Sequence, residues 1–244
     1  MSAPLTLLIS GISHLVAAVT VATAKVEEQR PENPRKARMV RDIREGLGFV
    51  YRHRSLAPLG ISTHLWFIAN STAMTVFALY ALRQLGVSPF VYGVILACAG
   101  VGGLIGALCS PAVVRRFGEG PTILMGRSLI PLAWLGVSLV PDAEPWALVC
   151  LAGAKGLYGF GLGLEDPPEL SYRQSATPRA MLGRVNATMR SANRTMAVVG
   201  SLLGGLLAGT IGYRPTFWVM ITVFVVAVLI IVFSPMRTAR SSEA

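Results

Sequence analysis

Lys155 is the residue whose type and position most demand chemistry. It sits near the middle of the apolar run 146–166, roughly 13 Å or more from either end at 1.5 Å per residue. A charge at that depth in hydrocarbon costs about 2.5–3.5 kcal/mol. It therefore faces a watery cavity, pairs with an acid, or snorkels to an interface. Glu165, Asp166 and Glu169 form the acidic cluster nearest an apolar segment. Acids in a cavity bind protons and couple their movement to substrate; the plainer reading is a solvated helix end. Lys155 and Asp166, eleven residues apart, fall on one helical face. Residues 61–75 carry an unusual polar content, with His64, Asn70, Ser71 and Thr75 among them. His64, Ser71 and Thr75 share one stripe at 100° per residue, and that stripe should face a cavity or another helix. His64 titrates near neutrality, so it suits proton or substrate handling, or serves as a hydrogen-bonded histidine of a bundle. Arg127 and Arg194 lie within about two turns of helix ends, where an arginine snorkels.

Other chemistries are disfavoured. No GxxxxGK[ST] loop occurs for phosphate binding, which argues against ATP-driven work. No GxSxG nucleophile elbow and no His/Cys ligand spacing suggests an enzyme or a metal centre, and no cofactor is expected. Cys98, Cys109 and Cys150 all sit in apolar runs without CxxC spacing, as small packing residues do.

The elements that must position these residues are long apolar helices. Of 244 residues, 53% are hydrophobic and 14% charged, against about 25% charged in a soluble domain. Mean hydropathy is +0.58. Seven segments reach the length that spans a bilayer: about 4–24, 57–82, 90–113, 121–140, 146–166, 190–211 and 215–233. The fold class expected is all-α, a polytopic membrane protein of seven transmembrane helices. The first segment lacks the basic start of a signal peptide and reads as a spanning helix. Gly102 and Gly106, Gly200 and Gly204, and Gly205 and Gly209 are spaced four apart, as in helix pairs that pack closely in lipid.

Charge placement sets the expected orientation. Net charge is +10, yet long apolar runs divide the basic residues, so no nucleic-acid face forms. With residues 25–56 inside, that side holds seventeen Lys or Arg against Arg83 and Arg214 opposite. The positive-inside rule then puts the N-terminus outside and the C-terminus in the cytoplasm. Within 25–56, the polar stretch 29–34 with its two prolines reads as a linker. Residues 39–51 read as an amphipathic helix on the membrane surface, with Ile43, Leu47 and Val50 on one face.

Two stretches resemble a known family. One runs from Gly46-Leu-Gly-Phe-Val-Tyr-Arg-His, through Leu82-Arg-Gln-Leu-Gly-Val-Ser-Pro, Tyr92-Gly-Val and Gly100-Val-Gly-Gly-Leu-Ile-Gly, to Arg115-Arg-Phe-Gly. The other is Ser171-Tyr-Arg-Gln-Ser-Ala-Thr-Pro followed by Leu182-Gly-Arg-Val-Asn-Ala-Thr-Met-Arg. Both resemble the enterobactin-exporter-like branch of the major facilitator superfamily, the transmembrane secretion effectors. The resemblance implies twelve spanning helices in two six-helix halves. Segment 4–24 is similar to helix six, 25–56 to the central linker, 57–235 to the C-terminal six-helix bundle, and 236–244 to a cytoplasmic tail. It implies a cytoplasmic gating loop at Gly106, Arg115, Arg116 and Gly118. The family's acid there is replaced by Arg115, and its later basic pair by Glu119 and Gly120. Pro167 and Pro168 should kink or end the helix that carries Lys155.

The expectation is a secondary exporter of small amphiphilic molecules such as drugs or siderophores, coupled to protons and working by alternating access in a bacterial plasma membrane. Its partners are the lipid bilayer, a small-molecule substrate, protons, and a missing N-terminal half without which it should be inactive. Gly-rich faces on 90–113 and 190–211 are compatible with a three-plus-three inverted repeat within one half. The alternative is a non-transporting membrane scaffold that uses its basic linker and surface helix on anionic lipid.

Overall fold

A computed structural model describes residues 12, 14–16, 18–20, 23, 39–141 and 146–238. The chain divides into two units, Met1–Arg38 and Met39–Ala244. In the first, the described residues are helical, and Thr20 and Thr23 donate hydrogen bonds back to the carbonyls of Val16 and Val19. Ile12, Leu15, Val16 and Val19 present exposed apolar side chains. The ends expected for segment 4–24, residues 25–38 of the linker and residues 239–244 of the tail lie outside the described residues.

The second unit is helical throughout its described elements. α1 spans Met39–Arg52, α2 Leu56–Leu79, α3 Pro89–Phe117, α4 Glu119–Ser138, α5 Ala147–Ser175, α6 Leu182–Thr210 and α7 Tyr213–Val232. A π turn, Tyr80–Gln84, extends α2, and short 3₁₀ turns occupy Arg179–Met181 and Pro235–Thr238. Local chemistry sets the ends. Ser88 accepts a hydrogen bond from the Val91 amide and Pro89 follows it, which starts α3. Gly118 alone separates α3 from α4, at φ +93°, a conformation that a Cβ disfavours.

Glycine decides which helices meet. Gly102 and Gly106 of α3 lie against the α5 backbone: a Cβ on Gly102 would collide with the carbonyl of Gly156, and one on Gly106 with that of Phe160. Gly159 and Gly163 of α5 return the same contact onto Ala99 and Gly103. Gly200 and Gly204 of α6 press on Ile68 and Thr72 of α2 in the same way. Gly205 and Gly209 differ. A Cβ on either meets no atom within 4 Å, so among the described residues that pair seats no helix. α4 fills the bundle between α5 and α7, and α2 packs on both α6 and α7. An aromatic cluster links them: Trp134 stacks on Phe217 at 5.7 Å and meets Phe77 edge-on at 6.0 Å.

The outside of the bundle is apolar. Leu104, Leu108, Val149, Leu202 and Leu206 are exposed, and a continuous coat of this kind belongs in lipid. Among the described residues, four helices are long and apolar enough to cross a membrane: α2 with its π turn, α3, α5 and α7. α4 and α6 pack among these four.

Several boundaries move from the sequence expectation. The helix carrying Lys155 does not end at Pro167-Pro168; α5 continues to Ser175. Pro168 withdraws the amide that would bond the Leu164 carbonyl, and Ser110 of α3 donates to that carbonyl instead, at 2.9 Å. α6 begins at Leu182 rather than 190. Its first two turns bury Val185, Thr188 and Met189, while Arg184 and Arg190 lower the hydropathy of the same stretch. α1 docks on α6 and α2. Arg184 bonds Asp42 at 2.9 Å and Glu45 at 2.6 Å, Gly46 abuts the Arg184 carbonyl, and Val50 is buried beside Val185 and Met189.

Candidate functional site

Arg127 is the hub of the site. It stands eight residues into α4, about 12 Å from the helix start. Its side chain is 3% exposed, so it does not snorkel, contrary to the sequence expectation. The reason is a better partner than the interface offers. Glu165 and Glu169 are four residues apart on α5 and turn to one face. Arg127 grips both: Nε donates to Glu165 Oε2 at 3.0 Å, Nη2 to Glu165 Oε1 at 3.5 Å, and Nη2 also to Glu169 Oε2 at 2.5 Å. Nη1 donates to the hydroxyls of Ser62 at 3.0 Å and Thr63 at 3.3 Å on α2. Ser62 in turn donates a hydrogen bond to the Ala227 carbonyl of α7 at 2.7 Å. One guanidinium thus ties four helices, using the planar fork that arginine alone supplies. Arg173 adds a longer contact to Glu169 at 3.7 Å.

This network forms one wall of a cleft of about 410 Å³. Thr63, Trp66, Phe67 and Asn70 come from α2, Asn193 from α6, and Leu162, Asp166, Leu170 and Arg173 from α5. Asp166 is exposed and makes no hydrogen bond or ion pair among the described residues. Asn70 accepts from the Tyr158 hydroxyl at 2.7 Å. The cleft therefore holds two cationic and three acidic side chains against aromatic and aliphatic surface.

One sequence candidate, His64, lies beside it. His64 Nδ1 is 2.7 Å from Asn193 Oδ1, and Nε2 is 2.6 Å from the Tyr51 hydroxyl. A neutral imidazole protonated at Nδ1 satisfies both: it donates to Asn193 and accepts from Tyr51. Burial pushes the Tyr51 phenol above its ordinary range, which keeps it a donor. The chain joins α1, α2 and α6. Ser71 and Thr75, on the same stripe, are half-buried but bond within α2, where Thr75 donates to the Ser71 carbonyl.

Lys155 is fully buried and meets neither acid nor cleft. Its ammonium lies 4.2 Å from the ring centre of Tyr158, 4.6 Å from Trp134 and 5.0 Å from Phe77. It also donates to Met74 Sδ at 3.2 Å. Three ring faces and a soft sulfur surround it, in place of the watery cavity, acid or interface that the sequence offered.

Of the loop residues, Gly106 is a packing contact on α5, and Gly118 makes the one-residue turn. Arg115 and Arg116 are exposed in the last turn of α3, where cations suit the helix dipole, and Arg116 lies over Phe117 at 5.3 Å. Glu119 accepts from Ser171 at 2.8 Å, which closes α4 onto α5. No His/Cys/Asp/Glu group suited to a metal ion occurs among the described residues.

Sequence reasoning missed Arg127, Arg173, Trp66, Phe67 and Asn193 as site residues. For Arg127 the signal existed: acids four apart on a neighbouring apolar helix make a seat for a fork. Nothing local marked the other four, because their meeting depends on how α2, α5 and α6 pair.

Comparison with known proteins follows the same lines. The sequence profile described as Major Facilitator Superfamily matches residues 2–200 and 67–244. The enterobactin exporter EntS of Escherichia coli O1:K1 / APEC is 35% identical over 117 residues, 47% of this chain and 26% of that protein. EntS of Escherichia coli O45:K1 (strain S88 / ExPEC) matches to the same extent. The aligned stretch thus spans about a quarter of the relatives' length.

Proposed function

Because the chain belongs to the major facilitator superfamily, a family of multi-pass membrane transporters, we propose that it forms one half of a proton-coupled exporter of small amphiphilic molecules. The observation that carries this is the cleft. Charged groups from α4 and α5 line an open volume inside a coat of lipid-facing side chains. Ionisable groups inside a membrane bundle are costly, and those found there pair with one another or mark a pathway. Such folds hold substrate at the midplane between repeats and expose it alternately by rocking two halves. This chain supplies one wall, so transport requires a second bundle. Seven spanning helices, with the N-terminus outside and the C-terminus inside, follow from the length of the apolar segments and the placement of Lys and Arg. Glu165 and Glu169 carry the coupling protons: a carboxylate that leaves the Arg127 guanidinium takes a proton from water in the cleft, and returns it to water when it pairs with the guanidinium again. Arg115, Arg116 and Gly118 form the cytoplasmic gate.

The scaffold reading draws on Ile43 and Leu47, which α1 leaves exposed. A pair of assays separates the two. Everted vesicles holding residues 1–244 alone accumulate no fluorescent amphiphile above empty vesicles under a proton gradient. A chimera with the first five spanning helices of EntS placed before residue 1 does accumulate it, and Glu165→Gln with Glu169→Gln abolishes this. Accumulation by the chain alone would overturn the half-pathway reading. A chimera that inserts and folds yet moves no amphiphile would overturn transport and favour the scaffold.

A further inference from the structure

We infer that α1 is a docking face for anionic lipid, and that the headgroups it holds act on the cleft through Tyr51, His64 and Asn193. The inference does not depend on what crosses the cleft.

α1 is docked by one side only. Gly46 lies against the Arg184 carbonyl of α6, and Val50 is buried beside Val185 and Met189. Ile43, Leu47 and Tyr51 follow one another at four-residue steps, so they form one stripe beside that buried side. They are 49%, 40% and 39% exposed. Arg44 stands seven residues before Tyr51, on the same line of the helix, and Arg52 and Arg54 follow at its end. Both acids of α1 are taken: Asp42 by Arg184, and Glu45 by Arg184 and Arg41. Arg44, Arg52 and Arg54 are exposed and make no ion pair among the described residues.

Two features say what covers this face. Arg54 stands two residues before Leu56, where α2, long and apolar enough to cross a membrane, begins. α1 therefore ends at the depth of lipid headgroups. There its exposed face sets apolar side chains beside unpaired positive charge, the complement of acyl chains beneath anionic headgroups. A free anion would match the arginines and leave Ile43 and Leu47 in water.

The line from this face to the cleft is short. Tyr51 belongs to the exposed stripe, and its hydroxyl is 2.6 Å from His64 Nε2. His64 Nδ1 is 2.7 Å from Asn193 Oδ1, and Asn193 lines the cleft. With Tyr51 donating, the imidazole is held as its Nδ1–H tautomer, the one that donates to Asn193. The charged part of α1's docking is weak, because the Arg184 pairs are half-exposed. Lipid that pins α1 therefore steadies Tyr51, and through it the ring that bonds the cleft amide.

The test places purified residues 1–244 in nanodiscs of phosphatidylcholine, with or without one third phosphatidylglycerol, and reads two sites. Amide exchange across residues 41–52 should slow about tenfold with phosphatidylglycerol. Arg44→Gln with Arg52→Gln and Arg54→Gln should abolish that slowing, and so should Ile43→Ser with Leu47→Ser. Unchanged exchange in α4 shows that each variant is folded. Isotope-labelled histidine, read by nitrogen NMR, should show the Nδ1–H form of His64 enriched by phosphatidylglycerol. Tyr51→Phe should lose this enrichment while α1 stays protected. Equal exchange in the two discs, slowing that survives either set of substitutions, or the same slowing from inorganic phosphate added to phosphatidylcholine discs would each overturn the lipid face. A His64 tautomer that ignores phosphatidylglycerol, or still responds to it in Tyr51→Phe, would overturn the link to the cleft.

Discussion

Arg127 and Lys155 are both buried cations, and their surroundings give them opposite energetics. Arg127 has two carboxylates and two hydroxyls. Arg127→Met leaves Glu165 buried and unpaired, and Glu169 with only Thr63 and the longer Arg173 contact, and should cost about 3–5 kcal/mol, seen as a lower unfolding midpoint in detergent. Adding Glu165→Gln to that variant should recover part of the loss, because one of the stranded charges is then gone. Lys155 has only ring faces and Met74. Cation–π contacts of about 0.5–2 kcal/mol each roughly offset a desolvation cost of about 2.5–3.5 kcal/mol. Lys155→Met should therefore leave the midpoint near that of the parent, whereas Trp134→Ala, which opens the cage and the core, should cost about 3–5 kcal/mol. A large loss in Lys155→Met would show that the ammonium has a partner stronger than the rings. The sequence made Lys155 conspicuous because depth within one apolar run is a local property. It could not show the cage, because Phe77, Trp134 and Tyr158 come from three helices.

At the scale of elements, glycine spacing told which helices approach, but not with equal success for each pair. Gly102, Gly106, Gly200 and Gly204 sit against neighbouring backbone, and Gly205 and Gly209 do not. Spacing fixes a stripe on one helix; whether a second helix lies over that stripe is decided elsewhere. Gly106→Ala or Gly200→Ala should force α3 from α5, or α6 from α2, and lower stability by about 1–3 kcal/mol. Gly205→Ala should be neutral or slightly stabilising in this chain, since alanine favours the helix. Denaturant midpoints in detergent decide between these outcomes. Hydropathy located the helices but misplaced the start of α6 and the end of α5, where charged or proline-bearing turns are buried by partners instead of by lipid. The docking of α1 rests on half-exposed ion pairs between Arg184 and Asp42 and Glu45, worth no more than about 1 kcal/mol. Arg184→Ala, or raised salt, should speed amide exchange in residues 42–52 while leaving α2 protected. Unchanged exchange would mean that Val50 and Gly46 hold α1 without the charges.

For the molecule as a whole, every proposal depends on lipid covering one surface and water reaching another. Leu104 of α3 belongs to the apolar coat, and Asp166 of α5 to the cleft. The decisive measurement is thiol accessibility in nanodiscs. Cys98, Cys109 and Cys150 are first replaced by alanine, and a single cysteine is then placed at 104 or at 166. A charged thiol reagent needs thiolate and water. Asp166→Cys should be modified rapidly and Leu104→Cys should stay unmodified. Equal modification at both positions, or recovery of the protein as a monomer in buffer without detergent, would contradict the account.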